Sequence, residues 1–288
     1  MKQIRYFIEA FALILFYGLC DLLPASTASD LGGAIGRKIG PRLAASRKAR
    51  KNMKESFPLF PDQEIEDQTA MMWDNLGRLI AEYPHLRTLA KRHTTIEGLE
   101  IIKAAQESGR PFIVFGAHLG NWEVMAPSLL EHAGIKLGLV YRAPNNPVSD
   151  RLLDYARSLH GAIETIPKSR TGTRRLVQTL KEGHSIGILI DQKYNEGIAV
   201  PFFGRPAMTS PAFVQLAQKY DATLIPFYCI RESGNRFKLA FEEPLDTRGS
   251  EIEVIERAHA RLESWISTYP GQWMWLHRRW GKEENKND

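Results

Sequence analysis

A histidine and a glutamate stand five residues apart where an apolar, strand-like run gives way to a helical pattern. The stretch IVFGAHLGNWEVMAP places His118 after the apolar run and Glu123 in the first turn of the following segment. Positions five apart on one continuous helix point about 140° apart, so the two side chains meet only if His118 lies in the loop. A carboxylate that binds one imidazole nitrogen fixes the tautomer and leaves the other nitrogen free to accept a proton. The pattern therefore predicts that His118 is a general base and that Glu123 orients it.

A structural interpretation of the same pair stays open at this point. His118 could cap the helix, and Glu123 could be a first-turn carboxylate that the helix dipole favours. No Ser or Cys adjoins the pair to act as a nucleophile. If the pair is catalytic, the proton it removes is therefore expected to come from a hydroxyl group of a substrate.

From residue 111 onwards, segments of strand length alternate with segments of helical pattern. PFIVFGA, KLGLVYR, AIETIP and SIGILI are short apolar runs separated by helical stretches, and TLIPFYCI and RFKLAFEEP predict two strands that pair with each other. Strands without polar alternation, joined by helices, predict an α/β fold with a mostly parallel sheet flanked by helices on both faces. Right-handed crossovers place the strand-to-helix loops along one edge, so His118, Arg142 and Asp191 are expected to converge there.

The amino-terminal segment is predicted to be an uncleaved helix that anchors the chain to a membrane. Residues 6–23 are apolar except for Glu9 and Asp21, and their length is near the lower limit for spanning a bilayer. Residues 37–54 carry eight Lys or Arg and no acidic residue, which suits anionic headgroups. The positive-inside rule then places the following domain in the cytoplasm, whether the helix spans the membrane or lies in its interface. A soluble core helix is the alternative.

These patterns predict three parts of the chain. Residues 1–26 form the membrane-anchoring helix, and residues 282–288 form a disordered tail. Residues 27–281 form a cytoplasmic domain, in which 27–108 is a helical and basic lead-in and 109–281 is the α/β catalytic core.

Cysteine usage and charge narrow the classes of partner and cofactor. Cys20 and Cys229 lie far apart in apolar runs, which indicates reduced core residues and a reducing compartment. No cysteine spacing typical of metal ligands is present, and neither a metal nor a cofactor is expected. The net charge of +5 would admit nucleic acid, but the apolar segment beside the basic block favours an anionic membrane surface instead.

Five sequence blocks, in order, resemble the late acyltransferases of lipid A biosynthesis, the lauroyl- and myristoyl-transferase group of the lysophospholipid acyltransferase superfamily. HLGNWE matches the H-x4-D/E motif of that superfamily. The other four blocks are YRAPNNP at 141–147, GILIDQK at 187–193, VPFFGRPAMTSPA at 200–212 and QWMWLHRRW at 272–280. The resemblance extends from the amino-terminal helix to the last of these blocks.

The resemblance implies transfer of a fatty acyl chain from acyl-acyl carrier protein to the 3-hydroxyl of an acyl chain on a lipid A precursor, at the cell inner membrane. His118 would deprotonate that hydroxyl while Glu123 orients the ring. The backbone N–H of Gly120 would stabilise the oxyanion. Two alternatives remain. One is an enzyme that transfers the acyl chain from acyl-coenzyme A to another glycolipid or to a lysophospholipid. The other is a non-catalytic membrane-binding relative.

The resemblance also implies three substrate-binding residues. Arg142 and Arg205 would bind phosphate groups of a phosphorylated glycolipid acceptor. Asp191 would position Arg142 or the acceptor, unless it only caps a turn. His277, in the last block, is expected to be a structural histidine.

Overall fold

A computed structural model describes residues 2–281, apart from the side chains of Lys2, Ile4, Arg5 and Arg170. The predicted disordered tail, 282–288, lies outside these residues. The region before the first strand consists of α1 (Lys2–Leu22), α2 (Ala25–Ile39), α3 (Ala44–Ser56), α4 (Asp62–Glu82) and α5 (Leu86–Arg92).

Strands are then interspersed with helices as far as the last helix. In order they are β1 (Thr94–Glu97), α6 (Leu99–Glu107), β2 (Phe112–Gly116), α7 (Met125–Ala133), β3 (Leu137–Tyr141), α8 (Pro147–Arg157), β4 (Thr165–Pro167), α9 (Arg170–Lys181), β5 (Ser185–Leu189), β6 (Ile198–Phe202), β7 (Arg205–Thr209), α10 (Ala212–Tyr220), β8 (Thr223–Ser233), β9 (Arg236–Phe241) and α11 (Glu251–Thr268).

Seven of these strands form one sheet in the order β1-β9-β8-β2-β5-β3-β4. All neighbouring pairs are parallel except β8 and β9, so the predicted mostly parallel sheet and the predicted β8–β9 pairing are both confirmed. Strand β1 was not predicted, because four residues are too few to show a period. The separate hairpin of β6 and β7 was not predicted, since Pro201 and Pro206 interrupt its apolar pattern.

Every residue of the central strand β2 is buried, and successive side chains of a strand point to opposite faces of the sheet. Ile113 and Phe115 of β2 belong to one core cluster, which also contains residues of α9, α10 and α11. Phe112 and Val114 belong to a second cluster, with residues of α5, α6 and α7. Helices therefore flank the sheet on both faces, as the apolar strands predicted.

Glycines bring α2 and α4 into close contact. A Cβ atom on Gly36 would lie 2.1 Å from the carbonyl oxygen of Trp73, and one on Gly77 would lie 2.1 Å from that of Gly32. Both distances are well below a van der Waals contact, so only glycine permits this packing. The amino-terminal helices are thereby fixed against α4, which in turn contacts the loop after β2 through Asn75.

The membrane-anchoring role predicted for residues 1–26 is not confirmed. Within residues 2–281, no helix combines the length and the apolar character that crossing a bilayer requires.

Candidate active site

His118 and Asp191 follow neighbouring parallel strands, β2 and β5, and their side chains meet at the carboxyl edge of the sheet. The Nδ1 atom of His118 lies 2.7 Å from Oδ1 of Asp191. The other carboxylate oxygen, Oδ2, accepts hydrogen bonds from the backbone N–H of His118 at 3.0 Å and from the indole N–H of Trp273 at 2.7 Å. Asp191 is fully buried. The predicted convergence of these two residues is therefore confirmed.

Asp191 is an ionised carboxylate despite its burial. Burial alone would raise its pKa, but the charge and hydrogen bonds of His118 outweigh this and hold the pKa below its usual range. A carboxylate only accepts hydrogen bonds, so Nδ1 of His118 carries a proton. In the neutral ring Nε2 is then unprotonated and can accept a proton.

The His118 ring borders a cavity of about 200 Å³ between α7 and the ends of β3 and β5. Apolar side chains line it, among them Met125, Leu139 and Phe227. Arg142 and Lys168 also line it, so the lining combines apolar and cationic side chains. Such a combination suits an amphipathic ligand with an acyl chain and an anionic group.

Gln192 and His277 complete the surroundings of the free imidazole nitrogen. The amide nitrogen of Gln192 lies 3.1 Å from Nε2 of His118 and 3.0 Å from Nε2 of His277. The two imidazole rings are 5.3 Å apart between centroids. Burial, and next the charge of His118, lower the pKa of His277 to about 4. His277 is therefore neutral at physiological pH.

Glu123 does not orient His118, and this prediction is wrong. Its carboxylate accepts hydrogen bonds from the hydroxyl of Tyr83 at 2.8 Å, from Nε and Nη2 of Arg157 at 2.8 Å each, and from the indole of Trp122 at 3.1 Å. A 3-10 turn over Trp122–Val124 directs the carboxylate towards these donors. Burial opposes ionisation, but Arg157 lowers the pKa of Glu123 below its usual value. Glu123 and Arg157 thus form a buried ion pair beside the cavity.

The prediction that the Gly120 N–H is free to bind an oxyanion is also wrong. This N–H donates to the carbonyl oxygen of Gln272 at 3.0 Å. Gly120 has a φ of +59°, and a Cβ atom there would lie 2.1 Å from the carbonyl oxygen of Cys229. The residue is needed for the close approach of the loop to β8 rather than for chemistry.

The two arginines expected to bind phosphate have different surroundings. Arg142 is exposed at the cavity, and within the described part of the chain no carboxylate pairs with it. Arg205 instead pairs with Glu55, donates to the hydroxyl of Ser56 and stacks on the Trp280 ring at 3.7 Å. The fold thus brings Arg142 to the cavity and employs Arg205 in packing α3 against the carboxy-terminal segment. The prediction of a substrate contact by Arg205 does not agree with these contacts.

Asp191 was predicted to position Arg142 or the acceptor, unless it only caps a turn. Its oxygens are hydrogen-bonded to His118 and Trp273, and no hydrogen bond to Arg142 is present among the described residues, so the half of the prediction that concerns Arg142 does not agree with the structure. Sequence reasoning also missed Gln192, Trp273 and the position of His277 at the site. The available signal was their membership of the same blocks, since Gln192 adjoins Asp191 and the other two lie in QWMWLHRRW.

Known proteins of one enzyme class are similar to this chain over most of its length. The family described as bacterial lipid A biosynthesis acyltransferase matches residues 1–282. The lipid A biosynthesis lauroyltransferase of Escherichia coli strain K12 is 26% identical in an alignment of 275 positions that covers 89% of this chain and 86% of that protein. The lipid A biosynthesis palmitoleoyltransferase of the same strain is 27% identical in an alignment of 296 positions, gaps included, that covers 96% of this chain and 91% of that protein.

A relative with a different name is equally similar. The phosphatidylinositol mannoside acyltransferase of Mycolicibacterium smegmatis is 27% identical in an alignment of 275 positions that covers 91% of this chain and 88% of that protein. Since the family match spans nearly the whole sequence and each of these relatives is named for acyl transfer, this protein is an acyltransferase and belongs to the bacterial lipid A biosynthesis acyltransferase family.

Proposed function

We propose that the enzyme transfers a fatty acyl chain from acyl-acyl carrier protein to a hydroxyl group on an acyl chain of a lipid A precursor. The observation that supports this most directly is the His118–Asp191 pair, because the Nε2 atom of His118 borders a cavity lined by both apolar and cationic side chains. The pair has the chemistry of a general base, and the family match supports a lipid A precursor as the acceptor.

The reaction needs no covalent acyl-enzyme. Nε2 of His118 takes the hydroxyl proton as the hydroxyl oxygen bonds to the thioester carbonyl carbon. The tetrahedral intermediate then collapses, the carbon–sulfur bond breaks, and the leaving thiolate receives the proton from the imidazolium. Asp191 stabilises the imidazolium between these steps and keeps its Nδ1–H in place.

The apolar and the cationic side chains of the cavity would bind different parts of the substrates. Met125, Leu139 and Phe227 suit an acyl chain, because burial of its methylene groups is favourable. Arg142 and Lys168 suit a phosphate of the acceptor, and the planar guanidinium can bind two phosphate oxygens at once.

We further propose that the enzyme works on the cytoplasmic face of the inner membrane. Large apolar side chains of α1 are exposed, namely Phe7, Ile8, Phe11, Leu15 and Leu19. A groove of about 190 Å³ between α1, α2 and α4 is lined entirely by apolar residues and glycine, and exposed Ile35 and Ile39 border it. Lys38 and Arg47 lie exposed near this surface and suit anionic headgroups.

Vesicle flotation tests the membrane proposal. The Ile35→Ser/Ile39→Ser variant is expected to bind phosphatidylethanolamine–phosphatidylglycerol vesicles at least about tenfold more weakly than the wild type, because it lacks two exposed isoleucines that would be buried in the membrane. Val148→Ser removes an exposed apolar residue of α8 and is the control. Equal binding by all three proteins, or binding without dependence on anionic lipid, would contradict the proposal.

A second candidate is transfer to another glycolipid from acyl-coenzyme A. It is favoured by the mycobacterial relative, whose name specifies a phosphatidylinositol mannoside acceptor. The basic block 37–54 suits an acidic carrier protein as well as anionic lipid, so it does not separate the two donors.

Transfer assays with the purified enzyme decide between these functions. Acyl-acyl carrier protein and acyl-coenzyme A are each combined with a lipid A precursor and with a phosphatidylinositol mannoside, and products are identified by mass spectrometry. We expect acyl-acyl carrier protein and the lipid A precursor to give the fastest transfer. His118→Ala should reduce it by about 10²–10⁴-fold, whereas the exposed His184→Ala should not. Full turnover by His118→Ala would refute the mechanism.

A further inference from the structure

Gln192 lies where a catalytic hydrogen-bond donor is needed, and its environment fixes which way its amide points. Resting on the function proposed above, we infer that the side-chain amide of Gln192 donates a hydrogen bond to the oxyanion that forms on the thioester carbonyl, and that His277 positions this amide. Gln192 would thus be a catalytic residue and His277 a positioning residue.

The orientation of the amide follows from the hydrogen bonds of the two imidazoles. The carboxylate of Asp191 requires a proton on Nδ1 of His118, so Nε2 of the neutral ring can only accept. The Gln192 group 3.1 Å from Nε2 must therefore be the NH2 end of the amide and not its oxygen. The same NH2 group lies 3.0 Å from Nε2 of His277, which must then also accept, with its proton on Nδ1.

Substrate binding would release one of these two N–H groups. A hydroxyl that gives its proton to His118 must occupy a place about 3 Å from Nε2, which is the hydrogen-bonding position that Gln192 now fills. The acceptor thus replaces Gln192 as the partner of Nε2. The freed N–H then lies beside the attacked carbonyl, while the second N–H stays on His277.

His277 suits this positioning role because it accepts a hydrogen bond without carrying charge. Burial lowers its pKa to about 4, so Nε2 keeps its lone pair at neutral pH. Its ring lies in edge contact with that of His118, which keeps the two acceptors of the amide close together. A fixed donor needs no reorganisation when the oxyanion forms, and this makes it effective.

The backbone donors of the neighbouring loop are already bound elsewhere. The N–H of His118 donates to Asp191, that of Leu119 to the carbonyl of Ala117, and that of Gly120 to the carbonyl of Gln272. These three N–H groups follow β2 directly and are where a backbone oxyanion site would be expected. Their engagement favours a side-chain donor.

The test is steady-state kinetics of acyl transfer by Gln192 variants. Gln192→Ala is expected to lower kcat by about 10²–10³-fold, the usual effect of removing one oxyanion donor, with the KM of each substrate changed less than about threefold. Gln192→Met keeps the volume without the donor and should lose as much. Gln178→Ala, an exposed glutamine of α9, is the control and should match the wild type.

His277→Ala separates positioning from direct catalysis. With Gln192 present but unrestrained, we expect kcat to fall by about tenfold, and His277→Asn to restore part of the loss because its amide oxygen can accept the same N–H. In Gln192→Ala, the further change His277→Ala should have little additional effect, since the group it positions is gone.

The outcomes distinguish this inference from the function on which it rests. A wild-type kcat in both Gln192→Ala and Gln192→Met, or an effect on KM alone, would overturn the oxyanion role of Gln192. The proposed function would still be supported in that case if His118→Ala reduced acyl transfer. Absence of transfer by the wild type with every donor and acceptor would overturn both. Thermal unfolding of each variant establishes that the protein compared is folded.

Discussion

Asp191 and Glu123 are two buried carboxylates at one site, and their hydrogen-bond partners differ in kind. Asp191 binds the His118 ring, whose second nitrogen borders the cavity and can exchange a proton with a substrate. Glu123 binds Arg157, whose guanidinium cannot release a proton in proteins, and the remaining donors of the network are Tyr83 and Trp122. The first pair is built to change protonation state and the second to keep it.

This difference assigns the two ends of the H-x4-E motif to separate networks. His118 belongs with residues from β5 and the carboxy-terminal segment, whereas Glu123 joins the loop after β2 to α8 through Arg157. The motif was predicted to act as one catalytic unit, but it contains one residue that can accept a proton and one that holds the surrounding loop in place.

The largest expected effect is on the first pair. Asp191→Asn keeps the shape but places an amide against Nδ1, which favours the wrong tautomer of His118. We expect kcat to fall by about 10³–10⁴-fold, as measured by acyl transfer under saturating donor. The exposed Asp246→Asn is the matched control. Retention of more than about a tenth of the activity would mean that the two pairs do not differ as described.

The next effect is on the second pair and concerns stability. Glu123→Gln leaves the guanidinium of Arg157 buried without a countercharge, so we expect the free energy of unfolding to fall by about 3–5 kcal/mol in urea titrations. Glu232→Gln, on an exposed residue, should change it by less than about 0.5 kcal/mol. If Glu123→Gln unfolds like the wild type yet loses transfer as His118→Ala does, Glu123 is catalytic after all.

A smaller effect concerns His259, a buried histidine outside the cavity. His259 donates from Nδ1 to the Pro201 carbonyl and accepts at Nε2 from Arg279, and burial lowers its pKa to about 3. Because the unfolded chain binds this proton near pH 6.5, the contribution to stability is complete above that pH and is lost as pH falls towards 3.

Unfolding titrations at two pH values check the size of this contribution. Between pH 7.5 and pH 5 the wild type should lose about 2 kcal/mol more stability than His259→Gln, which does not titrate. The same loss in both proteins would show that His259 is not held neutral by its burial.

The smallest expected effect is on the binding of the acceptor by Arg142. Arg142→Gln should raise the KM for a phosphorylated acceptor by about tenfold and change kcat less than about threefold, because the guanidinium binds phosphate and not the reacting atoms. The exposed Arg92→Gln is the control. An unphosphorylated acceptor should show no difference between wild type and variant, and a difference there would contradict the phosphate contact.

The topology of the site could be predicted from sequence, but its hydrogen bonds could not. Parallel strands joined by helices require that residues following β2, β3 and β5 share one edge, and His118, Arg142 and Asp191 do so. Which carboxylate contacts the imidazole depends on the path of a few loop residues. The 3-10 turn at Trp122–Val124 and the distant donor Arg157 decide this, and neither produces a periodic signal.

Individual residues show the same limit elsewhere in the chain. Arg142 and Arg205 look alike in sequence, since each is a basic residue in a recognisable block. Only the packing of α3 against the carboxy-terminal segment shows that Glu55 and Trp280 occupy the guanidinium of Arg205. No role was predicted for Gln192 because a glutamine has no charge, although its amide joins the two imidazoles.

The hydrogen bond from Trp273 to Asp191 has a consequence for biosynthesis. These residues are 82 positions apart, and the tryptophan is added to the growing chain long after the strands that hold His118. At ribosomal rates of about 5–20 residues per second, several seconds separate the synthesis of Asp191 from that of Trp273. The hydrogen bonds of Asp191 are therefore complete only after nearly all of the chain has been synthesised.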